Sequence, residues 1–142
     1  MKVYLTRRYG FSASHRLHNE AMTAEQNRNT YGKCNNPYGH GHNYFVEVTV
    51  SGQVEPQTGM VCNLADLDGF VRDHIFERYD HQDLNHLSEF VANVPTTENL
   101  CVEIYGILHR GFSKAHLEKV RIEETMMNSF EYSGEADRKS VV

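Results

Sequence analysis

Nine histidines and three cysteines are the residues of this 142-residue chain with the most chemistry to offer, and the spacing of a few of them is informative. His40 and His42 stand two apart in GHGHNYFVEVTVSGQV, where alternation puts His42, Tyr44, Val46, Val48 and Val50 on one face of a strand. Two imidazoles leaving one face have Cα atoms about 6.6 Å apart, a workable bite for one metal ion. His15 closes an earlier alternating segment in phase with its apolar face, and antiparallel pairing across the intervening loop would set it opposite HGH. Three neutral histidines leave a coordination position open, as in catalytic zinc sites, and nitrogen donors favour zinc over magnesium or calcium. His18, His74, His86, His109 and His116 read as surface or packing residues.

Cys34 lies six residues before His40 in a loop rich in Gly, Asn and Pro. It suits a fourth ligand, a nucleophile, or a general base whose thiolate a nearby cation favours; a merely buried loop cysteine is the plain alternative. Cys62 and Cys101 sit in or beside apolar periodic patterns and read as core. Asp80 and His81 follow directly on a helical pattern, where a carboxylate can orient an imidazole for proton transfer, although adjacent residues need not face each other. Glu124 falls in phase with Val120 and Ile122, which directs a carboxylate to the apolar side unless the register slips or the strand ends at Ile122. A carboxylate held there needs a partner, and its two oxygens accept paired N–H donors such as the edge of a guanine or pterin.

The elements that must carry these residues follow from periodicity. Met1 to about Leu17 carries Val3, Leu5, Tyr9, Phe11 and Ala13 on alternate positions, and His18 to Pro37 is a polar loop with no convincing period. Leu64 to Tyr79, after Asn63 as cap, places Leu64, Leu67, Val71, Ile75 and Tyr79 on a helical face. A second helix begins after Pro95, with Thr96 or Thr97 as cap and Leu100, Ile104, Ile107 and Leu108 on one side. Val120 and Ile122 mark a third strand, and Phe130 and Tyr132 a fourth after a turn around Met127 to Ser129. The expected fold is α+β: a four-stranded antiparallel sheet with two helices on one face, in the order ββααββ, as one domain over 1–142 with a frayed tail from about Ala136. Its other face and its edges call for water or partner subunits, hence a homo-oligomer.

Composition narrows the function. The net charge of -5 lacks the basic footprint of a nucleic-acid binder, and no apolar run approaches a membrane span or a signal-peptide core, so neither nucleic acid nor membrane is an expected partner and the cytoplasm is the expected compartment. Three widely spaced cysteines make no disulfide framework. No dinucleotide fingerprint, Walker loop or nucleophile elbow is present.

FSASHRL, KCNNPYGHGHNY, TGMVCNLADL, YDHQDLN, PTTEN and IEET, in this order and spacing, resemble the 6-pyruvoyl tetrahydropterin synthase family over nearly the whole chain. The resemblance implies the tunnelling fold, in which trimers close their sheets into a barrel and two trimers stack as a homohexamer with active sites at subunit interfaces. It implies zinc on His15, His40 and His42, Cys34 as the proton-abstracting thiolate, and Asp80 and His81 as relay partners from a neighbouring subunit. Glu124 matches the pterin anchor, with Thr96, Thr97 and Glu98 near the pterin pocket. The implied reaction turns 7,8-dihydroneopterin triphosphate into 6-pyruvoyl tetrahydropterin by triphosphate elimination and internal redox, usually with magnesium present. Relatives that cleave the side chain, the 6-carboxytetrahydropterin synthases, typically have three residues between the cysteine and HGH, whereas this chain has NNPYG. A silent zinc- and pterin-binding module is the alternative from another class, and intact Cys34, Asp80 and His81 argue against it. Tyr79 and Met126-Met127 depart from the family pattern, and Lys33, Arg16 and Arg28 are candidates for the triphosphate contacts by position only.

Overall fold

The computed structural model describes residues 1–135, so the expected tail from about Ala136 lies outside the described residues. Strand β1 (Lys2–His15) and strand β2 (His40–Gln53) pair antiparallel along their whole lengths, from Lys2 opposite Gln53 to His15 opposite His40. Strand β4 (His116–Thr125) pairs with β2, and β5 (Asn128–Tyr132) with β4 through a tight turn at Met126 and Met127. Helix α4 (Thr97–Gly111) starts at Thr96, whose hydroxyl accepts the Asn99 N–H. Alternation sends Phe11, Ala13, Tyr44, Val46, Val48, Val50, Val120 and Ile122 to one sheet face, where Leu67, Val71, Ile75, Leu100, Ile104 and Leu108 of the helices close the core. The opposite face carries an ion-pair lattice in which Arg8 and Arg121 each bridge Glu47 and Glu123.

Three features differ from the expected ββααββ order. The sheet has five strands, because Gln82–Asp83 (β3) pairs parallel with Ala13 and Ser14 at the outer edge of β1, giving the order β3-β1-β2-β4-β5. Two residues are too few for any alternation to be read. The polar loop also contains a helix, α1 (Ala24–Tyr31), which has no apolar stripe and buries only Asn27. Its start was legible in one detail, the reciprocal cap between Thr23 and Gln26. The helix after Asn63 is α2 (Leu64–Val71), a wide π turn over Arg72–Phe76 and one final turn, α3 (Glu77–Tyr79). Successive steps of four overshoot a helical turn by about 40° each. The wider π turn takes up that drift and keeps Ile75 and Tyr79 on the buried line begun by Leu67 and Val71.

Tyr79 is fully buried, and its hydroxyl donates to Glu89, which also accepts from the Arg78 guanidinium. These contacts pin the end of α3, from which Asp80 and His81 project. Arg78 first, and Tyr79 with it, hold the Glu89 carboxyl down to about 2 against an ordinary 4.5. A depressed folded value means that the stabilisation is complete above the unfolded value and vanishes as pH falls toward 2. Glu89→Gln is therefore expected to cost about 1–2 kcal/mol at neutral pH and only about a quarter of that near pH 2.5, discounted because Arg78 is partly solvated. Urea unfolding at both pH values checks this; an equal loss at both would assign the effect to packing.

Candidate functional site

His15 ends β1 and His40 opens β2, so their pairing as direct neighbours brings the two rings to the same end of the sheet. Antiparallel neighbours on one face approach closely, and His42, two residues on, shares that face. The three Nε2 atoms converge: His40 Nε2 is 3.1 Å from that of His15 and 3.0 Å from that of His42. The rings stand nearly perpendicular, at 83° to 87°.

The environment sets the state of these rings. His15, 1% exposed, donates from Nδ1 to the Pro95 carbonyl at 2.9 Å; a carbonyl only accepts, so the Nε2 lone pair points at the other two histidines. Tyr44 Oη lies 3.4 Å from the same Nδ1. Burial lowers the His15 pKa, opposed by the Pro95 carbonyl, and burial lowers that of His42, opposed by Glu124. Both rings therefore favour the neutral form that ligates metal. A tetrahedral ion with bonds of about 2.0–2.1 Å sets its nitrogens about 3.3 Å apart, close to the separations of these ring nitrogens. The donor set fits a zinc-type ion with little adjustment.

Two more groups border this cluster. Cys34 sits in the short turn Gly32–Asn35, which is clipped to the chain after β1 by Leu17 N–H to the Cys34 carbonyl at 2.8 Å and by the Asn35 amide to the Leu17 carbonyl at 2.7 Å. Its Sγ forms a group with nitrogens of His15 and His40, all within 4.8 Å of one another. In the chain alone, burial and then the Glu124 carboxylate push the Cys34 thiol up. Glu124 does reach the apolar face: its carboxylate groups with His15 and His42 and stands 3.9 Å from His42 Nε2. One Glu124 oxygen accepts a short hydrogen bond from the buried Thr97 hydroxyl, and the other faces the Asn128 amide at 3.4 Å. Thr97 thus touches the anchor, while Thr96 serves as helix cap and Glu98 is exposed on the first turn of α4.

Asp80 and His81 contact each other, with His81 Nδ1 2.9 Å from the Asp80 carboxylate. Ser12 grips both: its N–H donates to Asp80 at 3.0 Å and its carbonyl accepts the His81 N–H at 2.6 Å. His81 takes φ of 60°, a conformation rare outside glycine and one that this double grip sustains. The dyad lies at the β3 edge, where His81 lines a cavity of about 560 Å³ with Ser12, Ser14, Asn43 and His42, separate from the group around Cys34.

Gly39 is a residue whose role the sequence reading passed over. It has φ of 74°, and a Cβ there would sit 3.1 Å from the His15 carbonyl oxygen, so only glycine lets the chain turn into His40. Gly39→Ala is expected to destabilise the fold by about 1–2 kcal/mol and to weaken metal retention through His40. Thermal unfolding with zinc content checks it; an alanine variant with unchanged zinc affinity would show that this turn does not position His40.

Comparison with known proteins follows the same residues. A sequence model described as 6-pyruvoyl tetrahydropterin synthase matches residues 4–135. The 6-pyruvoyl tetrahydrobiopterin synthase of Poecilia reticulata is 47% identical, covering 93% of this chain and 90% of the relative; that of Homo sapiens is 46% identical, covering 94% and 93%. The structure of the Caenorhabditis elegans 6-pyruvoyl tetrahydropterin synthase superposes with a TM-score of 0.89 at 39% identity, over 94% of this chain and 96% of that one. With its fold, its histidine cluster and nearly its whole length matched, the chain belongs to the 6-pyruvoyl tetrahydropterin synthase family.

Proposed function

We propose that this chain converts 7,8-dihydroneopterin triphosphate to 6-pyruvoyl tetrahydropterin and triphosphate, a lyase step of tetrahydrobiopterin biosynthesis. The observation that carries the proposal is the convergence of three histidine nitrogens beside Cys34 and Glu124 in a chain of this family. Zinc held by His15, His40 and His42 would supply Lewis acidity to the substrate's side-chain hydroxyls and would favour the Cys34 thiolate.

The remaining chemistry belongs to side chains. Glu124, held by Thr97, accepts the paired N–H donors of the pterin ring and orients it, which is catalysis by positioning. Cys34 takes the C–H proton from the side chain as thiolate. Triphosphate leaves with the electron pair of its C–O bond, and the hydrogens that reduce the ring come from the side chain itself, so no external hydride donor is needed. Asp80 and His81 carry protons to and from the reacting carbons. Because the dyad lies at the β3 edge, we assign it to the active site of a neighbouring subunit. β3 covers only Ala13 and Ser14, which leaves most of the outer β1 edge, like the β5 edge, open to partner strands in a homohexameric barrel. Magnesium accompanies the triphosphate. No helix among the described residues is long and apolar enough to cross a membrane, and we assign the enzyme to the cytoplasm.

The test is mass-spectrometric product analysis after zinc- and magnesium-loaded protein meets 7,8-dihydroneopterin triphosphate. 6-Pyruvoyl tetrahydropterin with released triphosphate is the expected result. A 6-carboxy product or a pterin without its side chain would move the chain to the side-chain-cleaving relatives. Unchanged substrate at full metal occupancy would make it a binding module.

A further inference from the structure

Between His15 and α1 the chain runs past the turn that holds Cys34, and His18 reaches across to that turn. Spacing alone makes His18 a surface or packing residue; in the fold its side chain is 20% exposed and stands outside the histidine cluster. Its Nδ1 lies 3.0 Å from the amide nitrogen of Asn35, the residue after Cys34.

The directions of these hydrogen bonds are fixed by their partners. The Asn35 amide nitrogen is 2.7 Å from the Leu17 carbonyl, which only accepts, so one N–H donates there. The second N–H points at His18 Nδ1, which must therefore accept. The imidazole proton then sits on Nε2, which faces the Glu20 carboxylate at 3.3 Å, an acceptor that matches this tautomer.

Three ties thus join the cysteine turn to the chain after β1. Leu17 N–H donates to the Cys34 carbonyl at 2.8 Å, Arg16 Nε reaches the Asn35 carbonyl at 3.3 Å, and the Asn35 amide bridges Leu17 and His18. The amide bridge depends on both its acceptors. Asn35 is 7% exposed, so losing the His18 acceptor leaves a buried N–H without a partner. Rotating the amide toward water to satisfy it would also give up the Leu17 carbonyl.

We propose that His18 is a positioning residue for Cys34: by accepting the second Asn35 N–H it locks the turn and keeps the thiol against the histidine cluster. For its kinetic part the proposal rests on the function assigned above. The role needs an acceptor at the place of Nδ1 and no charge. An asparagine Oδ1 is as many bonds from the backbone as that nitrogen and keeps the acceptor, whereas leucine keeps the bulk and removes it.

The test compares zinc-loaded wild type, His18→Leu and His18→Asn. Amide hydrogen exchange, read by mass spectrometry on fragments spanning Leu17 and Cys34, is expected to run about 10-fold faster in His18→Leu, with β2 and β4 protected as in wild type. Its kcat should fall about 10-fold, with KM and zinc content unchanged. His18→Asn should restore both exchange and kcat. In a Cys34→Ala background, His18→Leu should leave the residual turnover as it is, because His18 acts through the thiol. Wild-type exchange in His18→Leu, loss of protection across β2 and β4, a further loss of turnover in the absence of the thiol, or no rescue by asparagine would each overturn the assignment. Faster local exchange in His18→Leu, with a wild-type chain that does not turn substrate over, would keep the tie and sink the proposed function instead.

Discussion

Cys34→Ala is expected to fold, to bind zinc at full stoichiometry and to lose turnover by about 10²- to 10⁴-fold, the range that a positioned proton-transfer group contributes. The structural reasoning is specific. What ties Cys34 to the site is its backbone, through Leu17 N–H to its carbonyl, together with the Asn35 amide on Leu17. Alanine keeps both contacts and removes only a half-buried sulfur. The three histidine nitrogens contact one another without it, so a metal held by them does not depend on the thiol. Metal analysis and product assay on one preparation check the prediction. Turnover within tenfold of wild type would remove Cys34 as the base; loss of zinc would make it a ligand.

His40→Ala is expected to lose metal and activity together, with turnover under about 1% of wild type. His40 is the middle member of the cluster, in contact with both His15 and His42, and without it two nitrogens remain on different strands. Two ligands and water bind zinc far more weakly than three, so dialysis should strip the ion. The fold should survive, since His40 is partly exposed and its loss costs about 1 kcal/mol or less in the metal-free chain. The pair of variants is informative because the expected losses differ in kind: Cys34→Ala keeps zinc and His40→Ala does not. A His40→Ala protein with full zinc occupancy would show that other groups hold the ion.

Much of this architecture was legible before any coordinates. Alternation along Val46, Val48 and Val50, and along Val120 and Ile122, reports one wetted and one buried face, and the sheet keeps both in that phase. The same counting sent Glu124 to the apolar face, where it lies beside His42 and Thr97. Helix α1 escaped because its stability comes from capping and from Asn27 holding the carbonyls of Asn19, Met22 and Thr23, contacts that leave no apolar period.

Residue types and local period alone determined the four antiparallel strands, the two apolar helices and the H-x-H pair, because each is a matter of neighbours along one chain. What they left open was decided by contacts between residues far apart. The β1–β2 register sets His15 against His40, the Pro95 carbonyl, 80 residues away, selects the ring nitrogen that faces the site, and Ser12 holds Asp80 and His81 together at the sheet edge. Register and tautomer depend on where distant backbone groups come to rest, and only the packed sheet and helices bring those groups within hydrogen-bond reach.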